Sequence, residues 1–266
     1  MTGGETRRWC FADQLGPHFL DSADQPVLLI ESRAVFGRRR FHRRKAHLVL
    51  SALRHRAAEL GEQALFLRAH TYREALDQVR DPLTVCQPTS WAADRFVRTQ
   101  PDVEVLPARG FATDRTTFED WARPRSGLLL EDFYRDARRR FELLMDGAQP
   151  AGSRWNLDTD NREPPPKSTR LGVPQPWWPA EDEIDEQVRA DLDRWERDGT
   201  VSFVGNDGPR EFAVTRAEAL TALRHFLHDR LPHFGPYEDA MLAGDPWMAH
   251  SLLSAPMNLG LLDPLE

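Results

Sequence analysis

Hydrophobic and polar positions along the chain follow two rhythms. Five short apolar runs, each bounded by turn residues, predict β-strands: "RWCFA" (Arg8–Ala12), "VLLIE" (Val27–Glu31), "ALFLR" (Ala64–Arg68), "LTVC" (Leu83–Cys86) and "VEVL" (Val103–Leu106). Between them, helical spacing predicts a long helix over roughly Arg38–Leu60 and shorter ones near Tyr72–Val79 and Ser90–Arg98. Strands alternating with helices imply right-handed βαβ crossovers and a parallel sheet covered on both faces. Ligands of such sheets sit beyond the carboxyl ends of the strands, where the turns "DQLGP" and "ESRAV" fall.

A later helix is predicted in "GLLLEDFYRDARRRFELLMDG", with Leu129, Phe133, Ala137 and Phe141 on one face and Gly147 as its C-cap. The texture then changes. Residues 148–180 hold seven of the 20 prolines, among them "EPPPK" and "PQPWWP". Proline lacks a backbone donor and resists helix and sheet alike, so this stretch reads as an extended connection. Beyond it, "EDEIDEQVRADLDRWERDG" predicts an acidic helix, and "TRAEALTALRHFLHDRL" opens with a capping box at Thr215 and Glu218. The organisation expected is an α/β domain over 1–147, a Pro-rich connector over 148–180, and the start of an all-helical domain over 181–266.

Composition narrows the class. Hydrophobic residues at 40% and charged residues at 29% are ordinary for a globular protein. A net charge of -7 gives no global basic field for nucleic acid or an anionic membrane, although a local basic face is compatible with it. Cys10 and Cys86 are far apart and outside any CxxC pattern, which excludes a disulfide framework and any four-cysteine metal or iron–sulfur site within this chain. "MTGGETRRWCFADQL" has no apolar signal segment and no run reaches membrane-spanning length, so the expected compartment is a reducing cytoplasm.

Several common signatures are absent, including G-x-G-x-x-G, the Walker A loop, G-x-S-x-G and H-E-x-x-H. "NLDTDNRE" places Asp158 and Asp160 as in a calcium loop, but Arg162 takes the next ligand position and the required glycine is missing. Arg-paired or solvated carboxylates are expected there. His225, His228 and His233 cluster without a carboxylate or cysteine at metal spacing, so surface positions are expected and no metal site is assigned. "RRRFHRRK" (Arg38–Lys45) is the strongest basic run. On a helix it would mostly form a solvated face, and near a helix start it favours carboxylate or ligand partners. Ser251 and Ser254, one helical turn apart after His250, could hold a phosphate with backbone N–H groups, or could simply pack and back-bond to carbonyls.

The segments "RWCFADQL", "ESRAVFGRRRFHRRKAHLVLSALRHRAAEL", "GFATDRTTFEDWA", "GSRWNLDTDNREPPPK" and "FGPYEDAMLAGDPWMAHSLLSAPMNLGLLDP" together resemble the cryptochrome/photolyase superfamily. Within it they are similar to the iron–sulfur bacterial branch of deoxyribodipyrimidine photolyase-related proteins, the prokaryotic (6-4) photolyase type. The resemblance implies a Rossmann-like antenna domain, a connector and a helical domain that binds FAD, with light-driven electron transfer from reduced flavin to pyrimidine lesions in damaged DNA. Its flavin-phosphate segment "TSxLS" falls on His250, Ser251, Leu252, Leu253 and Ser254, with histidine replacing the commoner threonine. Tyr237 falls where the superfamily often places a tyrosine near the flavin phosphates. The antenna-pocket aspartate falls on Asp13. The glutamate expected after the second strand falls on Val35, which removes an acceptor and counts against a lumazine-type antenna chromophore.

The resemblance also implies that this chain is the first half of a longer protein, with catalytic residues and all four cluster cysteines expected beyond its end. A separately encoded C-terminal half is then the partner implied. Three readings follow: a photolyase-type flavoprotein that is truncated or split; a non-catalytic remnant or an α/β module binding a chromophore or protein partner; and a cryptochrome-like photoreceptor. An unrelated α/β nucleotide-binding enzyme is disfavoured because the sheet lacks a phosphate loop.

Overall fold

A computed structural model describes residues 6–168 and 170–266. The chain folds into two compact units that interleave along the sequence, whereas the hydrophobic pattern divides it linearly at 147 and 180. The first unit holds the residues up to Gly110, then Pro176–His225 and Leu252–Glu266; the second holds Phe111–Gln175 and Phe226–Ser251.

The first unit is built on five parallel strands: β1 (Arg7–Cys10), β2 (Val27–Ser32), β3 (Ala64–Ala69), β4 (Leu83–Cys86) and β5 (Val103–Leu106). Their spatial order is β3-β2-β1-β4-β5. Trp9 lies opposite Leu28, and Leu28 opposite Leu65, and β2, which opens on the apolar run "VLLI", is buried along its whole length. All five fall within a residue or two of the runs that the hydrophobic pattern marks. The α/β parallel-sheet class is the one expected.

Helices cover both faces. Ala34–Gly37 forms the short α1, followed by α2 (Arg43–Leu60), α3 (Tyr72–Leu76) and α4 (Trp91–Val97). On one face, Trp9, Phe11, Leu28, Ile30 and Val85 pack with Ala75 and Val97 from α3 and α4. Phe36, Ala46, Leu50, Val201 and Phe203 pack in a second cluster with Val188, Leu192 and Trp195 of a later helix. At about 25 cal/mol per Å² of apolar surface removed from water, burial of these side chains is the main stabilising term.

The expected long helix begins at Arg43, not Arg38. The Val204 N–H donates to the Phe41 carbonyl at 2.8 Å and the Arg43 N–H to the Val204 carbonyl at 2.9 Å, holding this segment in an extended bridge. His42 then caps the helix, its Nδ1 accepting from the Arg44 N–H at 3.2 Å. The helix nevertheless opens on Arg43, Arg44 and Lys45 with no acidic residue in its first turn, so the carboxylates that answer this charge come from outside it, Glu211 for Arg44 among them. The basic run is therefore divided: Arg38, Arg39 and Arg40 are exposed, while Arg43 is buried against Asp193, Glu196 and Asp207.

In the second unit, α5 (Arg115–Ala122) and α6 (Leu130–Arg140) share a cluster of Phe118, Trp121 and Phe133. Phe133, Ala137 and Phe141 are half-buried along the expected stripe, but Leu129 is exposed. Gly147 does not cap α6. The helix ends at Arg140 with Phe141 as C-cap, and Gly147, at φ 57°, turns a short hairpin of β6 (Met145–Asp146) and β7 (Gln149–Pro150). The Arg138 guanidinium draws the chain out of the helix by donating to the carbonyls of Leu143, Leu144 and Trp155.

In the first unit again, α7 (Glu183–Arg197) is the acidic helix, opened by a capping box of Asp182 and Asp185. It packs along α2. Its polar face reaches the sheet through Arg54, which grips Glu31 with two bonds of 2.8 and 2.9 Å and Asp191 at 2.6 Å. Next comes α8 (Arg216–His225), whose N-terminus has the predicted box: Thr215 Oγ1 accepts from the Glu218 N–H at 3.2 Å, and Glu218 accepts from the Thr215 N–H at 3.4 Å. In the second unit a π-helical turn, Phe226–Arg230, and α9 (Leu231–Phe234) follow; α10 (Ser254–Asn258) lies in the first unit. Among the described residues, no helix is long and apolar enough to cross a membrane.

Candidate functional site

Strand order reverses at β1, so the connections after β1 and β4 leave in opposite directions and open a crevice between them. The loop after β1 is fixed by Gln14. Its Oε1 accepts from the Phe11 N–H at 3.2 Å and its Nε2 donates to the Cys86 carbonyl, at the end of β4, at 2.9 Å. This brace sets Asp13 at the mouth. The Thr89 hydroxyl, from the loop after β4, donates to Asp13 Oδ2 at 2.6 Å. Burial pushes the Asp13 carboxyl above its ordinary range, with the Thr89 hydrogen bond acting in the opposite sense.

Two cavities meet at this pair. One of about 1070 Å³ extends toward His42, His47 and Phe212, and one of about 770 Å³ extends toward Val35, Arg38 and Phe96. Phe11, Asp13, Tyr72 and Thr89 line both. Each volume suits a small organic ligand. Phe11 stacks on Trp9 at 4.6 Å and meets Tyr72 edge-on at 5.4 Å, giving a ring-faced wall. Tyr72 is positioned by the capping box of α3, in which Thr71 Oγ1 accepts from the Glu74 N–H at 3.1 Å. Burial also raises the phenol's pKa, which keeps it a neutral hydrogen-bonding group.

Val35 faces the smaller cavity, where Asp13 is the one lining carboxylate among the described residues. An anionic acceptor therefore has to come from Asp13. Cys10 and Cys86 are both buried free thiols, and burial pushes Cys10 up to about 12 and Cys86 also upward. Neither is suited to act as a nucleophile.

The residues assigned to flavin phosphates are placed differently from their helical spacing. Tyr237 ends a single 3-10 turn, Gly235–Tyr237, and is half-buried in the second unit. His250 and Ser251 are half-buried in that unit; Leu253 and Ser254 belong to the first. Helix α10 starts only at Ser254, and Leu252 has a φ of 58°, so Ser251 precedes the helix and does not share a helical face with Ser254. Leu253 is buried and Ser254 exposed. Neither of the two crevice cavities is lined by any of these five residues.

One residue behind this segment carries no signal in the sequence. Arg230 is 3% exposed and donates to the carbonyls of His250 at 3.0 Å, Trp247 at 2.8 Å and Pro174 at 2.7 Å, and to that of Met248. With carbonyls as its hydrogen-bond acceptors, burial lowers its pKa. It shapes the turn that presents His250. A carbonyl-binding arginine leaves no spacing pattern; Thr89 and Tyr72 could have been found by asking which residues follow β4 and β3.

The remaining candidates sit as expected. Asp160 pairs with Arg154 at 2.7 Å, as an Arg-paired loop carboxylate, and His225, His228 and His233 are exposed.

The family model for deoxyribodipyrimidine photo-lyase-related protein matches residues 8–200. The chain is 36% identical over 287 residues to a (6-4) photolyase of Agrobacterium fabrum, an alignment covering 96% of this chain and 54% of that protein. The chain thus spans about half the length of the curated relative it matches.

Proposed function

The chain belongs to the deoxyribodipyrimidine photo-lyase-related family, and from that membership we propose that it serves in flavin-dependent, light-driven repair of pyrimidine photolesions in DNA. The observation that carries this reading is the 36% identity to a (6-4) photolyase across 96% of the chain, with the family match running from Arg8 of β1 through β5 and α7 and taking in Phe11, Asp13, Tyr72 and Thr89 of the crevice. In this reading the first unit gathers light. The crevice takes a flat heteroaromatic chromophore against Phe11 and Tyr72, with the Asp13–Thr89 pair at its polar edge. A lumazine is one such ring system. The apolar Val35 gives it one polar partner fewer, leaving Asp13 to orient it.

For FAD, the Ser251 hydroxyl, the His250 ring and Tyr237, all in the second unit, are the groups that would meet the phosphates. They are short polar groups suited to phosphate, and an isoalloxazine ring gains from apolar surface that takes it out of water. Bound flavin would supply the photoexcited electron donor. The residues of this chain hold the turn through Arg230, present the hydroxyls, and keep Asp13 and Tyr72 at the antenna crevice.

A second reading is favoured by one observation: the crevice is complete within the first unit. The chain would then act as a chromophore-binding α/β module without its own catalysis.

The test is an absorption spectrum of the purified chain after incubation with excess FAD or a lumazine, followed by gel filtration. Light-dependent repair is then measured on an oligonucleotide bearing a (6-4) photoproduct. Retained flavin bands and repair support the first reading. Retention of the lumazine alone, without repair, supports the second. Neither chromophore bound and no repair would overturn both.

A further inference from the structure

A separate hollow of about 300 Å³ opens in the first unit beyond the carboxyl ends of β2 and β3. Arg33 and His70, which directly follow the paired strand ends Ser32 and Ala69, line it together with Arg68. Arg194 and Trp195 of α7 complete the lining. The backbone fixes Arg33 in place: its N–H donates to the Ala69 carbonyl at 3.1 Å, and the next N–H, of Ala34, donates to the His70 carbonyl at 2.8 Å.

The Arg33 guanidinium is left without an acceptor. Its Nε is shut off from water and has no hydrogen-bond partner, and among the described residues no carboxylate pairs with the side chain. An unpaired charged donor in a partly buried place costs free energy that an incoming acceptor recovers.

The charge balance points the same way. Glu31 also lines the hollow, but both of its oxygens are taken, Oε2 by Arg54 and Oε1 by Arg54 and Arg68. Asp191 is held by Arg54, Arg68 and Arg194. Glu74, beside His70, is used by the N–H groups of His70 and Thr71. With Arg33 included, four guanidiniums gather around the two carboxylates Glu31 and Asp191, an excess of two positive charges. Arg68 and Arg194 are about half-exposed, so each can turn a free edge of its guanidinium to an incoming anion.

We propose that Arg33, Arg68 and Arg194, with His70, bind the phosphate of a small phosphomonoester. The planar guanidinium fork matches two oxygens of a phosphate. A monoester carries close to two negative charges at neutral pH, equal to the excess here, whereas each phosphodiester of a nucleic acid carries one. The volume is at the small end for a ligand pocket and suits a phosphorylated sugar, with Trp195 as its apolar wall. The bound anion would tie the ends of β2 and β3 to α7. The proposal is independent of the photolyase reading, because it needs neither flavin nor a lesion.

The experiment is a calorimetric titration of the full chain with inorganic phosphate and, separately, ribose 5-phosphate, against sodium chloride at matched ionic strength. One saturable site is expected for each. Arg33→Met and Arg194→Met should each weaken binding about tenfold or more, the loss of one charge-assisted hydrogen bond. Arg33 has no partner to lose in the free protein, and Asp191 keeps Arg54 and Arg68 when Arg194 is replaced. The urea midpoint of Arg33→Met without phosphate should therefore be no lower than the parent's, which separates loss of binding from loss of fold. Arg98→Met removes the same charge from the exposed end of α4 and should leave affinity unchanged. No saturable binding beyond the chloride control would overturn the proposal, as would full affinity in Arg33→Met. Equal weakening by Arg98→Met would reduce the effect to net charge and overturn it too. So would duplex DNA displacing ribose 5-phosphate at equal phosphate concentration, which would assign the hollow to a nucleic-acid backbone.

Discussion

The Asp13 carboxylate accepts the Thr89 hydroxyl at 2.6 Å across the point where strand order reverses, joining the loops after β1 and β4. Burial raises the carboxyl's pKa and is the larger influence. A carboxyl that binds its proton more tightly when folded adds stability that is full below the unfolded carboxyl pKa and is lost as pH rises through the folded one. Asp13→Asn keeps an acceptor for Thr89 and removes the charge. Its urea midpoint should therefore exceed the parent's at pH 7, with the two converging near pH 3. A lower midpoint at pH 7 would show that the hydrogen bond outweighs burial.

A second prediction concerns Arg54. It joins Glu31 on β2 to Asp191 on α7, and Arg68 bridges the same two carboxylates from β3. Glu31 is 2% exposed. Arg54→Met leaves the buried Glu31 with Arg68 alone, while Asp191 keeps Arg68 and Arg194, and a broken buried pair costs about 3–5 kcal/mol. Glu31→Gln with Arg54→Met should recover part of that loss, as chemical denaturation of the single and double variants would show. Additive losses would mean that the network is not coupled.

Much of this architecture can be read directly from the sequence, and the reasons differ by element. β4 and β5 are legible to the residue because "LTVC" and "VEVL" are short apolar runs with turn residues at both ends. The start of α2 is not, because the bridge from Phe41 to Val204 spans far more chain than any local window. The crevice position is legible from the alternation of strands and helices, but its membership is not. Thr89 and Tyr72 reach Asp13 only through the order β3-β2-β1-β4-β5. Ser251 and Ser254 have helical spacing, yet the left-handed Leu252 and the late start of α10 separate them.

Arg230 supports a third prediction. Its guanidinium holds the carbonyls of Pro174, Trp247, Met248 and His250, and hydrogen bonds from a charged donor contribute about 1.5–3 kcal/mol each at most. Arg230→Met leaves these carbonyls without their donor and should destabilise the protein by about 2–4 kcal/mol. The change should appear locally as faster hydrogen exchange over residues 247–251. Unaltered exchange there would show that the turn stands without Arg230.

The last prediction rests on Gly260, in the closing stretch "MNLGLLDP". Leu259, Leu261 and Leu262 are buried in the first unit, and the Leu15 N–H donates to the Leu259 carbonyl at 3.1 Å, so this stretch packs against the loop that carries Asp13. Gly260 has a φ of 66°, a conformation costly for a residue with a Cβ. A Cβ there would lie 2.5 Å from the Asp13 carbonyl oxygen and 2.7 Å from the Phe19 ring. The first of these is backbone and cannot rotate away. Gly260→Ala should therefore cost about 2–4 kcal/mol, the left-handed penalty plus displacement of the Asp13 loop. The same displacement should lengthen the Asp13–Thr89 contact and lower the affinity of the crevice for an added chromophore. Gly61→Ala is the control, since Gly61 has a φ of 53° with nothing near its Cβ. It bears the conformational penalty alone and should leave chromophore affinity unchanged. Equal losses of stability and binding in both variants would show that backbone conformation, and not contact with Asp13, is what Gly260 provides.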